Sequence, residues 1–196
     1  MPDPASFHVA DNWAGFYYEL AVDLGSTDDA RLDEALKTMW SAAGVEGCFG
    51  RHGQAEEWTP TPCTVASLTE YGSLDGRVRL PTGERVVCTC MAVRGGGYSD
   101  WLDFCLPTGA LDNAKVPIWG DGVHEVEPDH NVPLNDWLAD IARQVFARVP
   151  FSLALTGVEA SGADDAENLA GRAPDRRGHG YLLPRGEVLD YFPPNV

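Results

Sequence analysis

The chain has 196 residues, of which 44% are hydrophobic, enough to build a packed core and too many for wholesale disorder. Thirty Asp and Glu against 14 Lys and Arg give a formal net charge of −16, which repels nucleic-acid phosphates and anionic membranes and attracts cationic partners. No apolar run approaches the roughly 18 residues needed to cross a bilayer, so neither nucleic acid nor membrane is an expected partner.

Phe16, Tyr18, Leu20, Val22 and Leu24 alternate with Tyr17, Glu19, Ala21 and Asp23, the period of a strand with one buried face. Gly25 stops it, and Ser26 is placed to cap a helix, with Asp29 three residues on. Leu32, Ala35, Leu36, Met39, Trp40 and Ala43 recur at helical spacing, predicting a helix over about 26–43 that Gly44 ends. VEGCFG then returns to the sheet as a short strand, closing a strand–helix–strand unit. Residues 51–62, with Pro60 and Pro62, read as a loop. TVASLTEY, GRVRL and ERVVCTCMAV, separated by the turn signals SLDG and PTG, read as an antiparallel meander. ERVVCTCMAV is apolar on both faces and belongs in the interior of the sheet.

After RGGG, YSDWLDFCL is a further strand, with Asp100 and Asp103 on opposite faces of it. Residues 107–132 form a long loop. Leu134, Trp137, Leu138, Ile141, Val145 and Val149 then share one face of a second helix, over about 134–149, which Pro150 ends. FSLALTGV is a strand by alternation, residues 159–180 a polar, glycine-rich loop, and YLLPRGEVLDYF a terminal hairpin around PRG. The expected fold class is α+β, a mostly antiparallel sheet with two main amphipathic helices packed on it, formed by residues 1–196 as a single domain.

HEVEPDH, residues 124–130, is the densest group of functional side chains. In extended chain its two histidines would stand about 20 Å apart, too far for one metal ion. Pro128 opposes a helix, and no HxH, HExxH or EF-hand spacing is present, so no metal is expected. Glu125, Glu127 and Asp129 would instead project together from one edge. Six carboxylates and no Lys or Arg lie between Val116 and Ala142, and Trp119 adds an aromatic anchor at the start of that run. Trp119, Glu125, Glu127 and Asp129 are therefore the expected partner-binding residues. The plainer alternative buries Trp119 and leaves the acids facing water.

Catalytic signatures are sparse. Gly97, Ser99 and Trp101 match the spacing of a nucleophile elbow except for its final glycine. Cys48 with His52 is the one local Cys–His pair, whereas Cys88, Cys90 and Cys105 read as small core residues. No Walker loop and no complete dinucleotide fingerprint occurs, so no cofactor is expected. MPDPASFHVADNW has neither the basic nor the apolar region of a secretory signal, and five cysteines without a CxxC form no disulfide framework, which fits a reduced, cytoplasmic protein. The expected function is an acidic binding protein engaging a basic protein partner, for example an immunity-type toxin inhibitor. A small hydrolase-like enzyme using Cys48, Ser99 or carboxylates that the sequence does not pair, or a non-catalytic structural subunit, is the alternative.

Overall fold

The computed structural model describes residues 2–53, 57–94, 99–118 and 132–196. It is an α+β fold built on one nine-stranded sheet in which every neighbouring pair of strands is antiparallel. In chain order the strands are β1 Tyr17–Gly25, β2 Glu46–Gly50, β3 Thr59–Pro60, β4 Ser73–Arg79, β5 Arg85–Val93, β6 Asp100–Pro107, β7 Leu153–Val158, β8 Gly180–Arg185 and β9 Val188–Phe192. The helices are α1 Asp29–Ala42, α2 Val65–Tyr71, α3 Thr108–Asn113, α4 Val132–Phe146 and α5 Ala166–Leu169. Across the sheet the order is β3-β2-β4-β5-β6-β1-β7-β8-β9. The first strand of the chain thus lies inside the sheet, between β6 and β7, and β2 pairs β4 rather than completing a unit with β1.

The two long helices lie over one face. Tyr18, Leu20, Val22 and Leu24 of β1 join Leu102, Phe104 and Leu106 of β6 in a core with Leu36 and Met39 of α1 and Leu138 and Ile141 of α4. The Tyr18 hydroxyl donates to Asn135 Oδ1 at 2.8 Å, and Trp137 meets Phe104 edge-on at 5.9 Å, so α4 is held to the sheet by polar and aromatic contacts alike. The other face is covered in two places. A second cluster of Leu153, Leu155, Ala160, Leu169, Tyr181 and Leu183 brings the chain after β7 down over β7 and β8. At the far side Phe7, Trp13 and Trp58 stack, with Arg77 above the Phe7 ring at 4.0 Å.

Several expectations are corrected. Asp28, not Ser26, caps α1, its carboxylate accepting from Ala30 N and Arg31 N at 2.9 and 3.1 Å. TVASLTEY is helix α2, not a strand: Thr64 caps it, Val65 and Leu68 share its buried side, and Gly72 ends it at φ 81°. SLDG is not a turn but the first half of β4. The expected loop over 107–132 opens with α3, and that over 159–180 contains the single turn of α5. Glu19 and Asp23, expected on a solvated face, are buried, because both faces of β1 are covered.

Candidate functional site

The antiparallel register places Glu19, Cys105, Thr89 and Asp75 directly opposite one another across β1, β6, β5 and β4. Cross-strand partners share a face, so these four side chains form a row on the face away from α1 and α4. Asp103 lies two residues from Cys105 on the same face, opposite Ala21 and Met91. Diagonal neighbours of this kind have Cα atoms about 7–8 Å apart. Three carboxyl groups therefore line a strip between the two covering clusters, and they are almost fully buried: Glu19 is 4%, Asp75 3% and Asp103 3% exposed.

Each carboxyl has a different set of partners. Glu19 Oε1 accepts the Ser161 N–H at 2.7 Å, and Oε2 accepts the Cys105 S–H at 3.4 Å. Burial still raises its pKa, outweighing those donors. Cys105, expected in an apolar setting, is thus a donor to a carboxylate, its own pKa raised by burial and by Glu19. Asp75 Oδ2 accepts the Trp58 indole N–H at 2.7 Å, yet burial raises this carboxyl too. Asp103 is the least compensated. Burial and the Glu19 charge push it up to about 7, the Ser161 side chain only partly opposes them, and Oδ1 has no hydrogen-bond partner among the described residues. On the opposite face of the same strand, Asp100 is desolvated as well, but Arg94 and Thr27 hold it below the usual carboxylate range. A carboxyl that exchanges its proton near neutrality, beside a second one fixed by N–H and S–H donors, has the protonation behaviour of a general acid or base.

Above this strip runs an acidic stretch of chain. Between Arg148 and Arg172 there is no Lys or Arg, while Glu159, Asp164, Asp165 and Glu167 follow within nine positions. Glu159, Asp165 and Glu167 are exposed and Asp164 half-exposed. The stretch is anchored rather than loose. Glu159 and Tyr17 exchange hydrogen bonds at 3.0 Å, Asp165 caps α5 by accepting from Asn168 N at 2.8 Å, and Ala160 and Leu169 are buried beneath. Half-buried Tyr17 stands beside it.

Trp119, Glu125, Glu127 and Asp129 lie outside the described residues, as does the whole of HEVEPDH. Cys48 is not joined to His52, whose ring packs on Tyr71 at 4.6 Å with Nε2 3.9 Å from Glu70. Of the other described histidines, His8 meets Trp58 edge-on and His179 contacts the Val158 carbonyl, so neither serves Cys48 or Ser99. Among the described residues no group of three or more His, Cys, Asp or Glu is placed to hold a metal ion, and no helix is long and apolar enough to cross a membrane. An open groove of about 530 Å³ between α1 and α4, lined by Glu34, Lys37, Thr38, Ser41, Gln144 and Arg148, is on the helical side, away from the acid strip.

Comparison of the chain with protein-family models, curated proteins and solved structures gives no match, so the functional reading rests on its own residues.

Proposed function

We propose that this chain is an acidic binding protein that engages a basic protein partner, as an immunity-type inhibitor engages a cationic toxin. The observation that carries the reading is the anchored run of Glu159, Asp164, Asp165 and Glu167, exposed or half-exposed beside Tyr17 and without a neighbouring Lys or Arg in the chain. Ordered acids speed encounter with a basic surface, and an adjacent aromatic, here Tyr17, supplies area that slows dissociation. Trp119, Glu125, Glu127 and Asp129 offer the same chemistry in sequence and are a second proposed contact region. All five cysteines are free, which supports a reducing, cytoplasmic setting.

The test is salt-graded capture from a lysate of the source cells, using the wild-type chain and three neutralised variants. One carries Glu159→Gln, Asp164→Asn, Asp165→Asn and Glu167→Gln; the second carries Glu125→Gln, Glu127→Gln and Asp129→Asn. The third, a control, carries Glu34→Gln, Glu70→Gln and Glu187→Gln at exposed positions elsewhere. The reading expects a basic protein held by wild type in low salt and shed in high salt, lost from the first or second variant and kept by the control. No basic protein, or one that all three variants weaken alike, refutes it.

A hydrolase-like enzyme is the second reading, favoured by Asp103 beside Glu19. Asp103→Asn separates the two. It leaves capture unchanged if the acids act by binding at the surface, because Asp103 is buried beneath them.

A further inference from the structure

The bulge in β2 sets two thiols side by side. Gly47 has φ 73°, and the register against β4 slips between Glu46 and Phe49, so two residues of β2 face one of β4. Cys48 is the second of them. Its carbonyl accepts the Thr61 N–H at 3.0 Å, which draws the chain returning from β3 alongside it. Two residues further on, Cys63 is held from the other side. Thr64 caps α2 by accepting from Ser67 N at 3.3 Å, and the Val65 N–H is fixed by Asp33 Oδ1 at 3.0 Å. Between these anchors the two thiols come within hydrogen-bonding reach. Both are half-buried, whereas Cys88, Cys90 and Cys105 are buried.

The pair is asymmetric. The Cys63 S–H donates to Cys48 and lowers its pKa against the opposing effect of burial. The same bond, together with burial, pushes the Cys63 thiol up. One sulfur is thus biased toward thiolate while its neighbour keeps a proton, the division of labour between an attacking and a resolving thiol.

We propose that Cys48 and Cys63 form a reversible redox pair, in which a hydroperoxide oxidises Cys48 and Cys63 resolves the product to a disulfide. The Cys48 thiolate attacks the peroxide, forming an S–O bond and breaking the O–O bond. The displaced hydroxide or alkoxide takes a proton from solvent, so the sulfur loses two electrons and the peroxide gains them. Cys63 then attacks the sulfenic sulfur. Its S–H proton goes to the departing oxygen, which leaves as water as the S–S bond forms. A dithiol reductant restores both thiols by exchange. The bridge would tie β2 to the start of α2 across the segment that carries Trp58, and so would clamp the aromatic cluster bordering Asp75.

The experiment treats the reduced chain with hydrogen peroxide, alkylates the remaining thiols and maps cysteines by peptide mass. The expected result is a Cys48–Cys63 cross-linked peptide that dithiothreitol reverses, with Cys88, Cys90 and Cys105 still alkylated after denaturation. In Cys63→Ser, Cys48 should stop at the sulfenic acid and be trapped by dimedone. In Cys48→Ser, peroxide consumption should fall by about tenfold or more. No bridge in the wild-type chain, a bridge to another cysteine, or undiminished consumption by folded Cys48→Ser overturns the proposal. Should Cys48→Ser not fold, the wild-type map and the dimedone adduct of Cys63→Ser decide it.

Discussion

Asp103 shows how one side chain sets a pH response. An unfolded Asp titrates near 3.9, whereas burial and the Glu19 charge hold Asp103 at about 7 in the fold. Between those values the native chain retains a proton that the unfolded chain has released, so stability falls as pH rises through this window and is level above it. About three pKa units correspond to roughly 4 kcal/mol at pH 8. Glu19 and Asp75, also raised, act in the same sense. Asp33, Glu84 and Asp100 are lowered, and their contribution is lost only at more acid pH. In urea unfolding the wild-type chain should therefore be less stable at pH 8 than at pH 5. Asp103→Asn, which keeps the shape of the neutral acid, should close most of that gap, a gain of about 1–4 kcal/mol at pH 8. Loss of stability in this variant at pH 8 would mean that the carboxylate is charged and paired. The alternation of YSDWLDFCL was enough to put Asp100 and Asp103 on opposite faces. It could not show that Arg94 serves the first while no cation among the described residues reaches the second, since that depends on which strands flank β6.

At the scale of elements, α1 was legible because its apolar stripe, acidic first turn and following glycine agree with one another. Its cap was not, because Ser26 and Asp28 are both good capping residues and only backbone geometry chooses between them. Asp28→Ala should cost about 1 kcal/mol and Ser26→Ala less than about 0.5, read by thermal unfolding. Reversed magnitudes would move the helix start. Helix α2 was misread because Thr, Val and Tyr favour strands and seven residues fit a strand as well as two helical turns. Gly76 misled in the same region. It reads as a turn glycine, yet it lies in β4, where an added Cβ would meet Val45 Cγ1 at 2.3 Å and Trp40 at 2.9 Å. The glycine serves close packing on the sheet of Trp40 in α1's last turn and of Val45 just beyond the helix, a long-range contact that no local pattern encodes.

At the scale of the whole molecule, the α+β class followed from the mix of two periodicities, but strand order did not. Pairings between β1 and β6 or β7 join residues far apart in sequence, and one-face patterning does not name a neighbour. The acid strip was missed for that reason: Glu19, Asp103 and Asp75 become a group only once β1, β6, β5 and β4 stand side by side. Net charge acts at this scale as well. At −16 the compact chain repels itself, and added salt screens that repulsion more in the fold than in the expanded state. Raising sodium chloride from about 0.01 to 0.15 M should increase the thermal midpoint by about 2–4 °C, the shift expected for roughly 1 kcal/mol in a chain of this size. A falling midpoint would mean that attractive ion pairs, such as Arg94 with Asp29 and Asp100, outweigh the excess of acid.

The interior position of β1 has a consequence in time. Its neighbours on either side are Asp100–Pro107 and Leu153–Val158, both far downstream of Gly25. A ribosome adding roughly 5–20 residues per second needs on the order of 10 s to travel from β1 to the end of β7. Until Pro107 is made, YYELAVDL has neither native neighbour, and for the rest of that interval it has at most β6. Synthesis of this protein therefore passes through a stage in which a segment bound for the buried interior of the sheet is in need of shelter.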